Sequence, residues 1–184
     1  MNQTTFPGIF EHSLRQRELA IGRYIDAHEA RYRQFAERIT PRYDSWAQVW
    51  DRFAFSILSA HVTFEASVRA LRYASTVRGR VLETPLVKYG MYPAKAVALN
   101  ALPTKDIDVL LRQPDESWLD YRLRLRHEVR GLGLCKASFV IGLLYPTSAD
   151  VACLDTHMQR YYLGARVYNQ LPRSLYLELE QRVR

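Results

Sequence analysis

Apolar residues recur every three or four positions along most of the chain, in stretches bounded by proline, glycine or small polar residues. This period is typical of amphipathic α-helices, and those residue types end helices or cap their first turn. No stretch alternates convincingly between apolar and polar residues, so we expect no large sheet. The pattern predicts helices over about residues 11–38, 45–58, 63–73, 94–102, 106–111, 116–129, 134–144, 156–163 and 172–183. Gly79 and Pro85 are predicted to break the chain, and the expected fold class is all-α.

Length and composition favour a globular protein and exclude several other classes. The 184 residues suffice for one domain or two small lobes, and 48% apolar with 24% charged residues is typical of a globular protein. The longest apolar run, 139–145, is much shorter than the roughly 18 residues of a membrane span, and residues 1–16 lack the pattern of a secretory signal. Two cysteines exclude a disulfide framework and a four-cysteine zinc or iron–sulfur site. We therefore expect an intracellular, cytoplasmic protein without a metal site.

The charge is strongly basic. Lysine and arginine total 26 against 19 acidic residues, a net charge of +7, and 22 of the 26 are arginine. Arginine binds phosphate bidentately and stacks on bases. The composition fits a nucleic-acid partner, but a plain solvated basic surface would give the same numbers.

One segment carries more information than the composition. It reads as a helix, a tight turn at Gly131-Leu132-Gly133 and a second helix, followed by Leu154-Asp155-Thr156-His157. Glycines allow a sharp turn, and backbone amides at a helix N-terminus favour an anion. The helix leading into the turn carries four arginines, which are Arg122, Arg124, Arg126 and Arg130. The arrangement favours binding of a phosphodiester, whereas an ordinary helical hairpin remains the alternative.

These motifs resemble the helix-hairpin-helix/GPD superfamily of DNA glycosylases. Gly131-Leu132-Gly133 and Ala137 match the hairpin, and Leu154–His157 matches the aspartate motif. Upstream, Ile57–Thr63 (Ile-Leu-Ser-Ala-His-Val-Thr) resembles the start of an early helix in the endonuclease III branch, so the resemblance spans about residues 50–165.

The resemblance implies a two-lobed fold with a cleft and without an iron–sulfur cluster. One lobe would comprise residues 52–146, and the other residues 1–51 and 147–184, which include Asp155. It further implies a monomer that binds double-stranded DNA and flips a nucleotide out of the stack. No tightly bound cofactor is expected beyond a monovalent cation on the hairpin carbonyls.

The chain also departs from the family pattern. Aligned without a gap, Cys135 occupies the position of the Schiff-base lysine of the bifunctional enzymes, and Lys136 follows it by one residue. One residue is about 100° around a helix, so Lys136 is a poor substitute. Arg130 replaces the proline of the hairpin. These departures disfavour a lyase reaction through a lysine imine.

Two details are similar to a phage branch of the superfamily, the α-glutamyl/putrescinyl thymine pyrophosphorylase-like proteins or amino acid–DNA transferases. They are the residues 136–140 (Lys-Ala-Ser-Phe-Val) and 151–158 (Val-Ala-Cys-Leu-Asp-Thr-His-Met). This resemblance implies a transferase that joins an amino acid or amine to an activated 5-hydroxymethyluracil in DNA, in a phage-infected bacterial cell. A monofunctional glycosylase that excises a damaged or modified base is the alternative, and a non-catalytic DNA-binding module is the third interpretation.

Each candidate catalytic residue has a structural alternative. Asp155 would stabilise a sugar cation or act as a general base, or it caps a helix. Cys135 would be a nucleophile, or it fills an apolar gap. Lys136 would contact phosphate or an anionic leaving group, or it is solvated, and Cys153 is predicted to be a core residue.

The remaining candidates concern DNA. His61 would fill the gap left by a flipped base, or it is a buried, hydrogen-bonded histidine. Thr156 and His157 would support Asp155. The backbone would be bound by Arg126, Arg130, Gly131, Leu132, Gly133 and Arg160. Trp46 and Trp50, four apart on one helix, are predicted to be core rather than a platform for bases.

Overall fold

The computed structural model describes residues 45–156, 158, 159 and 171–183, together with seven residues between 16 and 30. Its contacts divide the chain into two compact units, Met1–Thr40 with Thr156–Gln170 and Pro41–Asp155 with Leu171–Arg184. The larger unit thus holds the hairpin together with Asp155, which the sequence analysis placed in the second lobe. The predicted lobe boundaries, and the cleft between the lobes, stay a prediction.

Seven α-helices and one 3₁₀ helix follow one another in the larger unit, and no strand occurs among the described residues. The helices are α1 (Trp46–Leu58), α2 (Phe64–Thr76), α3 (Glu83–Lys88), α4 (Ala94–Asn100), α5 (Trp118–Glu128), α6 (Leu134–Leu144) and α7 (Arg173–Val183), with the 3₁₀ helix at Ile107–Leu110 between α4 and α5. The all-α prediction is confirmed.

Side-chain caps explain where two of these helices begin. The Thr63 hydroxyl accepts a hydrogen bond from the Ala66 amide (3.3 Å) before α2, and the Ser117 hydroxyl accepts one from the Asp120 amide (3.1 Å) before α5. Such bonds satisfy amides that have no partner within the helix. By contrast, the prediction that Pro85 breaks the chain is wrong: Pro85 lies in the first turn of α3, where a missing N–H costs nothing.

The core surrounds α1, which packs against α2, α4 and α6. Trp50, Phe53 and Leu58 are fully buried. The prediction of a buried tryptophan pair is right for Trp50 and wrong for Trp46, which is 46% exposed. The Arg78 guanidinium lies over both indole rings, 5.7 and 5.6 Å from their centroids.

Two predicted helices fall largely outside the described residues. In the range 11–38, the described residues are Gln16, Leu19, Gly22, Arg23, Asp26, Ala27 and Ala30, and all seven are helical. In the range 156–163, Thr156, Met158 and Gln159 are described and helical. His157 and Arg160 lie outside the described residues.

Candidate nucleic-acid and catalytic site

The turn between α5 and α6 is a tight hairpin anchored in the core. The Leu132 amide donates a hydrogen bond to the Val129 carbonyl (3.2 Å), and the Leu132 side chain is buried. Gly131 has φ +89°, in the region that favours glycine. Gly133 has φ −86° and ψ 179°, extended backbone that any residue adopts. The prediction that both glycines serve the sharp turn is therefore right for Gly131 alone.

The two glycines also differ in their surroundings. A Cβ atom on Gly131 would lie 3.2 Å from the Ala98 Cβ and 3.7 Å from the Ile57 Cγ2, so this residue packs closely on α4 and α1. A Cβ atom on Gly133 would meet no described atom within 4 Å. Gly133 is exposed and is the N-cap of α6, with no side chain among the described residues capping it. The hairpin thus leaves the first-turn amides of α6 without a side-chain cap.

Two of the four arginines before the hairpin face solvent, namely Arg126 and Arg130. The other two are held by carboxylates. The buried Arg122 Nη1 donates to Glu180 Oε1 at 2.5 Å, and Arg124 pairs with Glu116 (2.7 Å) and Glu128 (3.2 Å). Arg122 and Arg124 are therefore committed to internal ion pairs, whereas Arg126 and Arg130, the two arginines expected to bind the DNA backbone, are exposed.

The turn between α1 and α2 presents His61. Its side chain is exposed and its backbone adopts φ +58°, which is unusual for a residue other than glycine. The buried-histidine alternative is therefore wrong. An exposed side chain on a strained backbone between two helices is a feature that often accompanies function.

A buried lysine that the sequence analysis missed supports this turn. Lys95 is 7% exposed, and its ammonium group donates to the Leu58 and Ala60 carbonyls, each at 2.7 Å. Burial, with a smaller effect of the nearby Lys136 charge, lowers the pKa of Lys95 to about 8. The signal available in the sequence was a single lysine within the apolar helix at residues 94–102.

The two motifs recognised in the sequence meet in space. The Ser56 hydroxyl of α1 donates to the Lys136 carbonyl at 2.9 Å, and the Lys136 ammonium group donates to the Ser59 hydroxyl at 2.8 Å. Lys136 therefore points toward the end of α1, beside the turn that carries His61.

Cys135 points elsewhere, toward the segment 151–155. Its Sγ lies 3.4 Å from the Sγ of Cys153, and the Cys153 Sγ is also 3.4 Å from the Cys135 carbonyl oxygen. Both cysteines are free and partly buried. The prediction that Cys153 is merely a core residue missed this thiol pair, since 18 residues separate the two in sequence.

The two thiols have opposite tendencies to ionise. The hydrogen bond from Cys153 lowers the pKa of Cys135, and the Lys136 charge adds to this, while burial and the Asp155 carboxylate oppose it. The same hydrogen bond, together with burial, raises the pKa of Cys153. Cys135 is also the one of the two that lies in the first turn of α6, where the helix dipole favours a thiolate.

Asp155 adjoins the thiol pair. Its amide donates to the Cys153 carbonyl at 3.0 Å, and its carboxylate acts on the pKa of both thiols. Thr156 follows as an exposed helical residue. Lys136 and Asp155 thus both act electrostatically on the Cys135 thiol, against which Cys153 lies. The catalytic roles of Cys135, Lys136 and Asp155 stay a prediction.

Helix α7 fixes the segment that carries Cys153 and Asp155. The Tyr176 hydroxyl donates to the Ala152 carbonyl (2.8 Å) and accepts from the Leu154 amide (3.1 Å). Glu180 Oε1 accepts from the Ala152 amide at 2.7 Å. Tyr176 and Glu180 are buried, so these bonds are shielded from water. No spacing in the sequence indicated this contact.

The predicted monovalent cation would be held by carbonyl oxygens of the hairpin, which are suitable ligands for a hard cation. Gly131 and Gly133 are exposed there, while the Val129 carbonyl already accepts the Leu132 amide and the Gly133 carbonyl accepts the Ala137 amide at 2.8 Å. Carbonyl oxygens are thus the right type of ligand for a monovalent cation, and the bound cation stays a prediction. Within the part of the chain that the structure describes, no group of three potential ligand side chains surrounds a metal site, and no helix is long and apolar enough to cross a membrane.

The fold is similar to that of two solved DNA glycosylases. The 8-oxoguanine DNA glycosylase of Thermotoga maritima matches with a TM-score of 0.69 and 18% identity, over 95% of this chain and 86% of the other. That of Methanocaldococcus jannaschii matches with a TM-score of 0.64 and 22% identity, over 96% of this chain and 83% of the other. No protein-family model matches the chain, and no curated protein matches it in sequence. The chain therefore shares the fold of these two DNA glycosylases.

Proposed function

We propose that the protein is a DNA-base enzyme that acts on a nucleotide flipped out of the duplex. The fold similarity to two DNA glycosylases supports DNA as the substrate. The reactive atoms of a base are unreachable inside the stack, so an enzyme of this kind extrudes its target.

The exposed hairpin and its neighbours would hold the DNA. The amides at the start of α6 favour a backbone phosphate, and the exposed Arg126 and Arg130 would add to the attraction. His61 would fill the gap that the flipped nucleotide leaves. Lys136, which donates to the Ser59 hydroxyl and whose charge lowers the pKa of Cys135, would bind a phosphate or an anionic leaving group.

Of the possible reactions, we favour a transferase that joins an amino acid or amine to an activated 5-hydroxymethyluracil. The observation that carries this choice is the direction of Cys135. The residue at the position of the family's lysine is a thiol facing Cys153 and the Asp155 segment, whereas Lys136 faces Ser59. In this reaction Asp155 would take the proton of the attacking amine, with Thr156 and His157 in support.

A monofunctional DNA glycosylase is the second candidate, because both similar structures are 8-oxoguanine DNA glycosylases. Asp155 would then stabilise the sugar cation that forms as the glycosidic bond breaks. Such an enzyme does not need the missing lysine.

Product analysis on defined duplexes separates the candidates. One duplex carries 5-hydroxymethyluracil activated as a phosphate ester, supplied with amines, and another carries 8-oxoguanine. The transferase yields an intact strand whose mass rises by the amine and falls by the leaving group. The glycosylase yields free base and alkali-sensitive sites instead. DNA binding with neither product would leave only a binding module.

Asp155→Asn provides the matched control. The amide keeps the shape and the capping ability of the residue but loses its charge and basicity. Turnover should be lost while DNA affinity is retained. Full activity of this variant would mean that Asp155 is only a structural residue.

A further inference from the structure

We propose that Cys135 and Cys153 form a nucleophile pair in which the Cys135 thiolate adds to C6 of the flipped pyrimidine. The inference rests on the proposed transferase function and deepens it. It restricts the substrate to pyrimidines with a leaving group on the carbon attached to C5, and it replaces direct displacement by a covalent route.

The geometry of the pair suits this role. The Cys153 Sγ lies 3.4 Å from both the Cys135 Sγ and the Cys135 carbonyl oxygen. A thiolate carries no hydrogen and is the stronger acceptor of the two, so when Cys135 is ionised the single Cys153 hydrogen turns to the sulfur. Cys135 lies in the first turn of α6, an eleven-residue helix, where the helix dipole stabilises a negative charge. The Lys136 charge acts in the same direction. Three separate features thus favour the thiolate at one sulfur.

Neither thiol is an inert filler of the apolar core. Both remain partly exposed, and the segment that carries Cys153 is held by the buried Tyr176 and Glu180. A segment anchored in this way keeps the Cys153 sulfur in place while Cys135 changes its bonding. Asp155 opposes the thiolate electrostatically, and in the proposed route its carboxylate takes the proton of the amine.

The reaction balances without an oxidant. The thiolate forms a bond to C6, and the electrons of the C5–C6 double bond move to the C4 carbonyl oxygen. When these electrons return from the oxygen, a double bond forms between C5 and the exocyclic carbon, and the phosphate or pyrophosphate leaves that carbon. The product of this step is an exocyclic methylene group on C5. The amine adds to this methylene and gives a proton to Asp155. The electrons that reach the carbonyl oxygen then return to restore the C5–C6 double bond and release the thiolate.

This route explains why a thiol suits the position. A good nucleophile that is also a good leaving group is needed at C6, because the bond to C6 must form and later break. A hydrogen bond from Cys153 assists both steps, since it stabilises the anion before attack and after release. A lysine amine at the same position would favour an imine with an opened sugar instead.

The first experiment needs no turnover. Iodoacetamide alkylation of Cys135 is followed against pH in the wild type and in Cys153→Ala. Loss of the hydrogen bond to a charged sulfur should slow alkylation at pH 7 by at least about tenfold. Equal rates in the two proteins would overturn the pairing, and circular dichroism of both proteins checks that the helices are retained.

The second experiment looks for the adduct. The wild type is incubated with a duplex that carries the phosphate ester of 5-hydroxymethyluracil, without amine, and is quenched in acid. We expect a protein–DNA species lighter by one phosphoric acid than the sum of its parts, with the DNA on Cys135. Cys135→Ser should form neither adduct nor product while it still binds the duplex. With amine present, a base deuterated at C6 should react faster than the protiated one, because C6 becomes tetrahedral during attack.

The outcomes separate the inference from the proposed function. If Cys135→Ser forms the amine product at the wild-type rate, the transferase stands and the thiol route is wrong. An adduct on another residue, or a C6 isotope effect of one, likewise overturns the thiol route alone. If the wild type forms neither adduct nor product with any amine, both the transferase and the thiol route are wrong.

Discussion

Gly131 and Gly133 differ in why a side chain would be harmful. Gly131 has a positive φ and close neighbours within the protein, whereas Gly133 has an ordinary φ and open space where a Cβ atom would be. Beyond the preference for glycine over apolar residues at an N-cap, a strict need for glycine at Gly133 would therefore come from a ligand.

We predict that Gly133→Val lowers the free energy of unfolding by no more than about 1 kcal/mol, because valine is a poorer N-cap than glycine but its Cβ atom meets no described atom. Affinity for duplex DNA should fall at least about tenfold, because the valine would separate the first-turn amides of α6 from a phosphate. Gly131→Ala is the matched control and should lose about 1–2 kcal/mol of stability, since alanine disfavours a positive φ. Urea unfolding and fluorescence anisotropy measure the two quantities. Unchanged affinity in Gly133→Val would remove the hairpin from the DNA interface.

Lys95 makes a pH-dependent contribution to stability. Its pKa is about 8 in the folded chain, below the ordinary value of 10.5 that holds in the unfolded chain. Between pH 8 and 10.5 the unfolded chain binds more protons at this residue than the folded chain does, so the free energy of unfolding rises with pH. Below about pH 8 the ammonium group is charged in both states, and the full free-energy cost of burying it is present.

We predict that the wild type gains stability relative to Lys95→Met as the pH rises from 8 to 10.5. Titration of the other groups is common to both proteins and cancels in the difference. Urea unfolding at intervals of half a pH unit measures it. A difference that stays constant over this range would mean that burial does not perturb Lys95.

At the scale of helices, α5 and the two residues that follow it divide their arginines between the interior and solvent. Tyr121, Leu125 and Val129 define its buried face, and Arg122 lies on the same side, where it meets Glu180. Arg126 and Arg130, four residues apart, are exposed.

We predict that Arg126→Gln and Arg130→Gln each reduce the salt dependence of DNA binding, by a slope of about one. Arg124→Gln is the control, because Arg124 is already paired with Glu116 and Glu128. It should lower stability and leave the slope unchanged. Binding isotherms at several salt concentrations give the slopes. An Arg124→Gln effect equal to that of Arg126→Gln would contradict this division.

Helix α7 acts on the site through Tyr176. We predict that Tyr176→Phe costs about 1–3 kcal/mol, because the Leu154 amide and the Ala152 carbonyl lose a buried partner. Hydrogen exchange at the Leu154 amide should accelerate more than at amides of α1. Glu178→Gln on the same helix is the control, since it removes only an exposed ion pair with Arg182. Unchanged exchange at Leu154 would mean that Tyr176 does not anchor the segment.

At the scale of the whole molecule, the helices were predictable because the period of the apolar residues and the positions of the capping residues indicate the same helix boundaries. Thr63 and Ser117 cap helices in the structure, and the prolines and glycines fall near the ends of most helices. Helix α3 was missed because it has only six residues and contains Pro85, whose position within the first turn is invisible without the structure.

The site was predictable where its residues are close in sequence. Hairpin glycines and the spacing from Cys135 to Asp155 indicated one surface, and the structure joins it to the α1–α2 turn through Ser56 and Ser59. Lys95, Tyr176 and Glu180 were not predictable, because each acts on carbonyls or amides 22 or more residues away. Backbone partners of this kind leave no pattern of residue types.

The central claim is that this chain combines a DNA glycosylase fold with a thiol, in place of an amine, at the nucleophile position. Borohydride trapping tests it most directly, because only an amine forms a reducible imine with an opened sugar. Duplexes with an abasic site, with 8-oxoguanine and with activated 5-hydroxymethyluracil are incubated with borohydride and either the wild type or Cys135→Lys. We predict no trapped adduct with the wild type on any duplex, and an adduct between Cys135→Lys and the abasic duplex. An adduct trapped by the wild type and mapped to Lys136 would contradict the claim.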